Sequence, residues 1–271
     1  MSLKYNIICS NQDKASINIK NALVDLYHFK EQNLYFEESL VYSKANISIY
    51  SILSESVFRE GLDKELPADV YLFASKHQSK KGVPTLTVHS IGNWGLAELG
   101  GKDNTLVLSS AWLQRDLFIN LHKFSKDSIF EIVNEATHHG PFLDKPTIYI
   151  EIGSTEKEWE NLEMAKVVAK TIMTTLAEER NKTKVAIGIG GLHTCNNFNK
   201  IILNKNIAIS HFCTKYALQY LNRKLIEEAI QKTSEKVELA ILDWKGLSTH
   251  KDNIVKNLKS IGLDFEKTST I

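Results

Sequence analysis

Cysteine is scarce in this 271-residue sequence, which has three, Cys9, Cys195 and Cys213, with no Cys-x-x-Cys pair among them. That number is too small for a disulfide framework. No secretory leader is recognisable, because the first apolar run, residues 5–9, is short and resembles a strand. We therefore expect a cytoplasmic protein. Four prolines and thirteen glycines are too few for long disordered linkers.

Net charge and long apolar runs are also lacking. The 33 lysines and arginines almost cancel the 32 acidic residues, leaving a formal net charge of +1. A protein that coats nucleic acid broadly normally carries a larger basic excess, so we expect no DNA partner, whereas a local basic patch is compatible with this balance. No apolar segment approaches the ~20 residues that span a bilayer, so we expect no membrane contact.

Short apolar runs alternate with longer amphipathic stretches, and this alternation predicts an α/β fold with a mostly parallel sheet. No composition break marks a linker, so we expect a single domain over residues 1–271. The predicted strands are 5–9, 46–52, 69–75, 85–90, 147–153, 184–190, 207–211 and 239–244. The predicted helices are 14–29, 110–124, 128–139, 154–180, 215–231 and 251–261.

Four of the nine histidines lie at or just after a predicted strand end: His77, His89, His193 and His211. In open α/β sheets, ligands bind at the carboxyl ends of the strands. A single histidine at such a position is more often structural. Four at equivalent positions predict a shared site, provided that the strands are parallel neighbours.

The stretch EATHHG, residues 135–140, allows two interpretations. On a helix, Glu135 lies on the same face as His138 and His139, a spacing also found in carboxylate-bridged metal sites. Alternatively, the histidines occupy the last turn of a helix that Gly140 ends. Glu151 gives a clearer indication, because a carboxylate inside the apolar run IYIEIG must be paired, hydrogen-bonded or metal-bound.

Other motifs are less specific. The run GIGG, residues 188–191, is neither a dinucleotide fingerprint nor a P-loop, and close packing explains it better than an anion nest. Thr155 and Glu158 have the spacing of a capping box. The loop 76–82 is the densest basic segment and has the charge to contact phosphates. The doubled His-x-Cys spacing at Cys195 and Cys213 allows soft-metal binding, but buried thiols that only pack are commoner.

Taken together, several segments resemble the archaeal-type D-aminoacyl-tRNA deacylases over nearly the whole chain. The most specific are LTVHxxGNW, EATHHGP and EIGSTEKEW, at residues 86–94, 135–141 and 151–159. Weaker matches are SNQDKASINI, KHQSKKGVPT, GIGGLH, HFCTKYAL and DWKGL. The resemblance implies a three-layer αβα domain similar to the phosphorylase and peptidyl-tRNA hydrolase class. It also implies hydrolysis of the ester between a D-amino acid and tRNA, with zinc as cofactor.

The resemblance also implies which residues form the site. The implied catalytic residues are His89, Glu135, His138, His139, Glu151 and His193. The implied metal ligands are Glu135, His138, His139 and His193. The implied substrate contacts are His77, Asn93, Ser154, Gly190, Gly191, His211, Lys215 and Tyr216. From their charge, we also expect Lys76, Lys80 and Lys81 to contact the phosphates of the substrate.

The chain departs from the family pattern after GIGG. Leu192 stands where a third glycine is usual, and residues 194–197, Thr-Cys-Asn-Asn, replace Tyr-Ala-Pro-Arg. The missing arginine removes a contact suited to phosphate or carboxylate. This departure therefore predicts a mode of substrate contact near residues 193–200 that differs from the family pattern.

Three alternatives stay open on the sequence alone. A metal-free mechanism would use histidine as the base and backbone amides as oxyanion donors. A nucleoside phosphorylase-like enzyme would share the implied fold. A non-catalytic tRNA-binding or metal-binding protein would retain the histidines without turnover. The expected partner in the main interpretation is the acceptor end of D-aminoacyl-tRNA, bound by a monomer.

Overall fold

The computed structural model describes residues 3–180 and 182–271 and has a three-layer α/β architecture. The elements of the first part are β1 (Tyr5–Ser10), α1 (Lys14–Tyr27), β2 (Lys30–Phe36), β3 (Ser39–Lys44), β4 (Ile47–Ile52), α2 (Leu62–Glu65), β5 (Val70–Gln78), β6 (Thr85–Ser90), β7 (Gly92–Asn93), β8 (Thr105–Leu106), α3 (Ala111–Phe124), β9 (Glu131–Asn134) and β10 (Thr147–Ser154).

The second part begins after β10. Its elements are α4 (Glu156–Trp159), α5 (Leu162–Ala177), β11 (Lys184–Gly191), α6 (Asn196–Lys205), β12 (Ile207–Thr214), α7 (Arg223–Gln231), β13 (Leu239–Leu242), α8 (Lys251–Ser260) and β14 (Asp264–Lys267). Within the described residues, no helix has the length and apolar character needed to cross a membrane.

Two sheets form the framework. The main sheet has eight strands in the order β2-β3-β4-β1-β5-β10-β6-β9, and the second sheet has four parallel strands in the order β12-β11-β13-β14. In the main sheet β4, β1, β5 and β10 are parallel, whereas β6 runs antiparallel to β10 and β9 is parallel to β6. The predicted α/β class and mostly parallel sheet are confirmed. The strand β6, which carries His89, runs antiparallel to β10, whereas the predicted shared site required parallel neighbouring strands.

Successive residues of the central strands pack on opposite faces of the main sheet. Leu72 lies in the apolar cluster covered by α1, α3 and α5, whereas Phe73 lies in the cluster on the other face with Tyr149. Helix α3 contacts both sheets, because Leu117 packs in the first cluster and Phe118 in a cluster of the second sheet. This shared helix fixes the second sheet next to the main sheet.

Helix boundaries follow local capping. The carboxylate of Asp13 accepts from Ser16 N at 3.1 Å at the start of α1, as expected for an N-cap. The backbone N–H of Thr155 donates to Glu158 at 3.0 Å, so the predicted capping box is confirmed at α4. The single long helix predicted over 154–180 is wrong, because Asn161 caps a separate helix, α5, by accepting from Met164 N.

The helix predicted over 128–139 is also wrong. Residues 131–134 form β9, and residues 135–140, named here the linking loop, form no helix. Its backbone bonds to distant strands instead: Glu135 N donates to Val88 O at 3.1 Å and Ala136 N to His193 O at 2.8 Å. These non-local hydrogen bonds satisfy the backbone groups that a helix would have paired internally. Neither interpretation of EATHHG as a helical segment therefore holds.

The glycine run and the cysteines have packing roles. A Cβ atom on Gly191 would lie 2.5 Å from the Phe198 ring, so only glycine fits there. Gly190 adopts a φ of +99° next to Leu247. The interpretation of close packing is confirmed. Cys195 and Cys213 are buried among apolar side chains, and burial raises the pKa of Cys195 far above its usual value, which disfavours a thiolate ligand.

Candidate active site

Three site residues come from one face of the main sheet. Pleating places Glu151 on the same face as Tyr149 two residues before it, and His89 is the register partner of Tyr149 on β6. His77 extends the same face of β5, beyond Ser75, which is paired with Glu151. The strand geometry alone therefore gathers two imidazoles and a carboxylate beyond the end of an apolar cluster.

The linking loop brings the remaining groups. It carries Glu135, His138 and His139, and its Ala136 N–H holds the carbonyl of His193, which follows β11 of the second sheet. Thr137 N donates to Phe212 O of β12 at 3.1 Å. The site is thus assembled from both sheets, with the loop hydrogen-bonded to each.

Glu135 lies between two imidazoles, here called the outer pair, His77 and His193. His77 Nδ1 is 3.2 Å from Glu135 Oε2, and His193 Nε2 is 3.2 Å from Glu135 Oε1. Burial opposes charge on all three groups, but their mutual contacts prevail. They hold the pKa of Glu135 well below its usual range and raise the pKa values of His77 and His193. The arrangement is an ionised carboxylate between two imidazoles that readily accept protons.

His89, His138 and His139 form a second group, the inner trio. Their ring centroids are 4.4–5.0 Å apart. Burial is the main cause of their lowered pKa values. It lowers the pKa of His89 to about 4 and that of His139 to about 3, and it holds the pKa of His138 well below its usual value. All three rings are therefore neutral near pH 7.

Each ring of the inner trio has one nitrogen on a backbone carbonyl. His89 Nδ1 pairs with Ser90 O at 3.0 Å, His138 Nδ1 with Ala136 O at 2.6 Å and His139 Nδ1 with Gly140 O at 2.6 Å. A neutral imidazole that donates from Nδ1 keeps its lone pair on Nε2, which is the usual arrangement of a metal-binding histidine.

Glu151 is the second buried carboxylate. Thr87 Oγ1 donates to its Oε2 at 3.2 Å, and the same oxygen lies 3.4 Å from His89 Nε2. Burial, reinforced by the negative charge of Glu135, raises the pKa of Glu151 to about 8. The two carboxylates are therefore in opposite states at neutral pH, with Glu135 ionised and Glu151 largely protonated.

The donor set fits a divalent cation. Within the described residues, ligand atoms lie within 4.8 Å of one another in three groups: His89 with His138 and His139, Glu135 with His138 and His193, and His77 with Glu135 and Glu151. Two buried atoms here, His89 Nε2 and Glu135 Oε2, make no well-aligned hydrogen bond. Imidazole and carboxylate ligands suit zinc, and three histidines with an open position are typical of catalytic zinc sites.

Two cavities meet at His138 and His193. The main-sheet cavity, about 350 Å³, also contains His77, His139, Glu151, Lys76, Ser10, Gln12, Asp13, Glu55, Ser56, Val57, Ser75, Gln78 and Leu99. The tyrosine cavity, about 280 Å³, is formed by Gly92, Asn93, Trp94, Gly95, Leu96, Glu98, Ala136, Thr137, Thr214, Tyr216, Ala217 and Tyr220 in addition to the two shared histidines. A substrate that spans the shared wall would occupy both.

The other predicted substrate contacts lie in different parts of the structure. Lys76 lines the main-sheet cavity, and Asn93 and Tyr216 line the tyrosine cavity. Lys215 lines a neighbouring surface pocket with Gly190 and Leu192. Lys80 and Lys81 lie in the exposed turn after β5.

Three further predicted contacts are buried in the fold and line neither cavity. His211 is completely buried, and its Nε2 pairs with Lys232 O at 2.9 Å. Ser154 is buried and donates to Val83 O at 2.6 Å. Gly191 packs against Phe198. These positions support the strands and the linking loop rather than a ligand.

Several cavity residues were missing from the sequence-based set. Ser10 ends β1 and Gln12 and Asp13 follow it, so the same position at a strand end that indicated the other residues also indicates these. Trp94 lies within the LTVHxxGNW segment, whereas Tyr220 carries no comparable signal, because it comes from an irregular segment between β12 and α7.

Comparisons with known proteins agree with the resemblance. A family model described as D-aminoacyl-tRNA deacylase matches residues 64–266. The chain is similar to the D-aminoacyl-tRNA deacylase of Pyrococcus furiosus, with 38% identity covering 96% of this chain and 98% of the relative. It is also similar to that of Methanosarcina mazei, with 36% identity covering 99% and 93%. A crystal structure of AF0625, a conserved protein of unknown function, superposes with a TM-score of 0.93 at 29% identity, covering 99% of this chain and 96% of that one.

Proposed function

The chain belongs to the D-aminoacyl-tRNA deacylase family, and we propose that the cavities meeting at His138 and His193 are its active site. The protein is a hydrolase that cleaves the ester bond of D-aminoacyl-tRNA, releasing free D-amino acid and tRNA. The observation that supports this site is the outer pair on Glu135 beside the inner trio. The phosphorylase-like and non-catalytic alternatives are not favoured, because relatives over nearly the whole chain are deacylases.

His193 is the general base in this proposal. Its Nε2 faces Glu135 Oε1, so with the proton on Nε2 its Nδ1 is free to accept a proton from water. Glu135 then orients the ring and stabilises the imidazolium that forms. The raised pKa of His193 brings it closer to the working pH, where a base is most effective. Glu151 does not suit this role, because its pKa of about 8 leaves it mostly protonated at pH 7.

The steps balance without any other reactant. Water loses a proton to His193 as its oxygen attacks the ester carbonyl carbon, forming a tetrahedral oxyanion. Contact with Glu135 raises the pKa of His77 and so favours its protonated form, whose second ring N–H is not held by Glu135 and donates to this oxyanion. The bond between the carbonyl carbon and the ribose oxygen then breaks, and His193 returns its proton to that oxygen. The products are the D-amino acid and tRNA with a free terminal hydroxyl.

We further propose His89, His138 and His139 as metal ligands, in place of the implied set that includes Glu135 and His193. Only the inner trio combines lowered pKa values with Nδ1 on backbone carbonyls, which leaves neutral Nε2 atoms for an ion. A zinc ion held by these three residues would lower the pKa of its water to about 7 and polarise a carbonyl. Glu135 and His193 remain available for proton transfer.

The deciding experiment compares the two stereoisomers of one substrate. Purified protein is incubated with D-Tyr-tRNA and with L-Tyr-tRNA, and the loss of ester is followed over time. Selective loss of the D form is expected. If neither ester is cleaved faster than in buffer, with or without added zinc, the proposed activity is wrong.

A further inference from the structure

We propose that the tyrosine cavity binds the terminal nucleoside of the tRNA, while the main-sheet cavity receives the D-aminoacyl group. This inference rests on the proposed function and assigns the two halves of its substrate to two places. The ester joins an amino acid to a ribose, so its two sides differ in chemistry: one is an ammonium-bearing acyl group and the other a flat heteroaromatic base.

The shared wall places the ester between the cavities. His138 and His193 line both of them, and His193 carries the proposed base. A carbonyl carbon attacked beside His193 therefore has one substituent directed to each side. The structure offers room for both halves of the substrate at once, with volumes of about 350 and 280 Å³.

The linings of the cavities match different halves. The main-sheet cavity is lined by hydroxyl, amide and charged side chains, and no tyrosine, phenylalanine or tryptophan is among the described residues that line it. The carboxylate of Glu55 there suits an α-ammonium group. The tyrosine cavity has Trp94, Tyr216 and Tyr220, and aromatic side chains are the usual platform for an unpaired base.

The tyrosines are unusually accessible for aromatic residues. Tyr216 is 65% exposed and Tyr220 41% exposed, so both rings have faces free to stack. Gly95 allows Tyr220 its position, because a Cβ atom there would lie 2.6 Å from the Tyr220 ring. The Trp94 indole N–H donates to Phe212 O at 3.1 Å, which fixes the floor of the cavity to β12.

A positive charge lies beside the same surface. Lys215 Nζ is 4.9 Å from the centroid of the Tyr216 ring. A base stacked on Tyr216 would bring its 5′ phosphate close enough for a charge contact with such a lysine, which is how proteins track a single strand. An aliphatic or aromatic amino acid side chain in this cavity would make no use of that charge.

The test uses substrates with and without a base. Wild type, Tyr216→Ala and Tyr220→Ala are assayed on D-tyrosyl adenosine and on the D-tyrosyl ester of ribose, which lacks the base. Each variant is expected to lose about tenfold in kcat/KM on the adenosine ester and less than twofold on the base-free ester. Tyr216→Phe and Tyr220→Phe should restore most of the loss, because phenylalanine stacks equally well.

The matched control is Tyr35→Ala. Tyr35 is 66% exposed, like Tyr216, but lies on β2 at the edge of the main sheet. The Tyr35→Ala substitution should leave kcat/KM unchanged on both esters. A second readout is inhibition by adenosine 5′-monophosphate, whose inhibition constant should rise about tenfold in both alanine variants, whereas ribose 5-phosphate should inhibit wild type and variants equally.

Several outcomes would overturn the assignment. Equal losses on the two esters would show that the tyrosines do not contact the base. A loss that appears with D-tyrosyl but not D-alanyl adenosine would place the amino acid side chain in the tyrosine cavity instead. If wild type cleaves D-aminoacyl-tRNA but the alanine variants match it on every substrate, the inference fails while the proposed function stands. If wild type cleaves no D-aminoacyl ester, the proposed function itself fails.

Discussion

The outer pair and the inner trio consist of histidines in one site, yet their pKa values shift in opposite directions. Contact with the ionised Glu135 raises the pKa values of His77 and His193. Burial without such a partner lowers those of His89, His138 and His139. The difference indicates that one carboxylate, placed just after β9, divides five histidines into two with raised pKa values and three that stay neutral near pH 7.

The largest effect is expected from breaking the inner trio. His139→Ala should lower deacylation by more than about 10³-fold, because losing a ligand removes several kcal/mol of transition-state stabilisation. Metal content, measured by mass spectrometry, should fall with it. His122→Ala, an exposed histidine on α3, is the control and should change neither value. Full activity of the wild type after chelation would contradict the proposed metal requirement and favour the metal-free mechanism.

Breaking the outer pair should have the next largest effect. Glu135→Gln should slow deacylation by about 10²–10³-fold, because His193 loses the carboxylate that orients it. The same change should move the acidic limb of the pH–rate profile to lower pH, since the contact that raises the pKa of His193 is gone. Glu131→Gln, on the exposed end of β9, is the control. An unshifted limb would exclude His193 as the base.

A smaller effect is expected at His211, which is buried outside both groups. Burial lowers its pKa from 6.5 to about 4, so its neutral form is favoured in the folded state. Its contribution to stability is therefore complete above about pH 6.5 and is lost as the pH falls toward 4. At pH 7 the His211→Gln variant should melt below the wild type, by about 2–4 °C for each kcal/mol of unfolding free energy lost. This difference in melting temperature should become smaller as the pH falls from 6.5 to 4.

Thermal unfolding of both proteins across this pH range measures the effect of His211. The deacylation rate should change less than tenfold, because His211 reaches the site only through Thr137. A difference in melting temperature that stays constant with pH would contradict the assignment of a neutral, structural histidine.

The smallest effect concerns charge near the outer pair. Lys81 lowers the pKa of His193 by its positive charge, although contact with Glu135 dominates. Lys81→Ala should therefore move the acidic limb slightly upward, and added salt should have the same effect on wild type because it screens exposed charges. The assay uses a small D-aminoacyl ester, so that tRNA affinity does not contribute. Lys126→Ala is the control, and a downward shift would contradict the electrostatic account.

The sequence predicted much of the fold, since most strands and helices have clear apolar periods. It failed at residues 128–139, where a helical pattern competes with backbone hydrogen bonds to Val88, His193 and Phe212. Those partners are distant in sequence, so local periodicity cannot reveal them. The hairpin of β2 and β3 was also missed, because its strand residues are largely exposed and show no apolar period.

The sequence predicted from strand ends that His77, His89, His193 and His211 meet, but His211 is buried outside the site and the reason for the other three was incomplete. His89 reaches Glu151 because β6 runs antiparallel to β10 and both side chains share one face, not because two parallel strands end together. The separation into an outer pair and an inner trio depends on burial and on distances to Glu135. Neither quantity is encoded in residue spacing.

The linking loop has a consequence during synthesis of the protein. Its partners Val88, His193 and Phe212 are made before and after it, and Phe212 lies 75 residues beyond Thr137. A nascent chain that has emerged only as far as β10 therefore holds Glu135 without His193 beside it. We therefore expect a nascent chain to have no deacylase activity until the second sheet has packed against the main sheet.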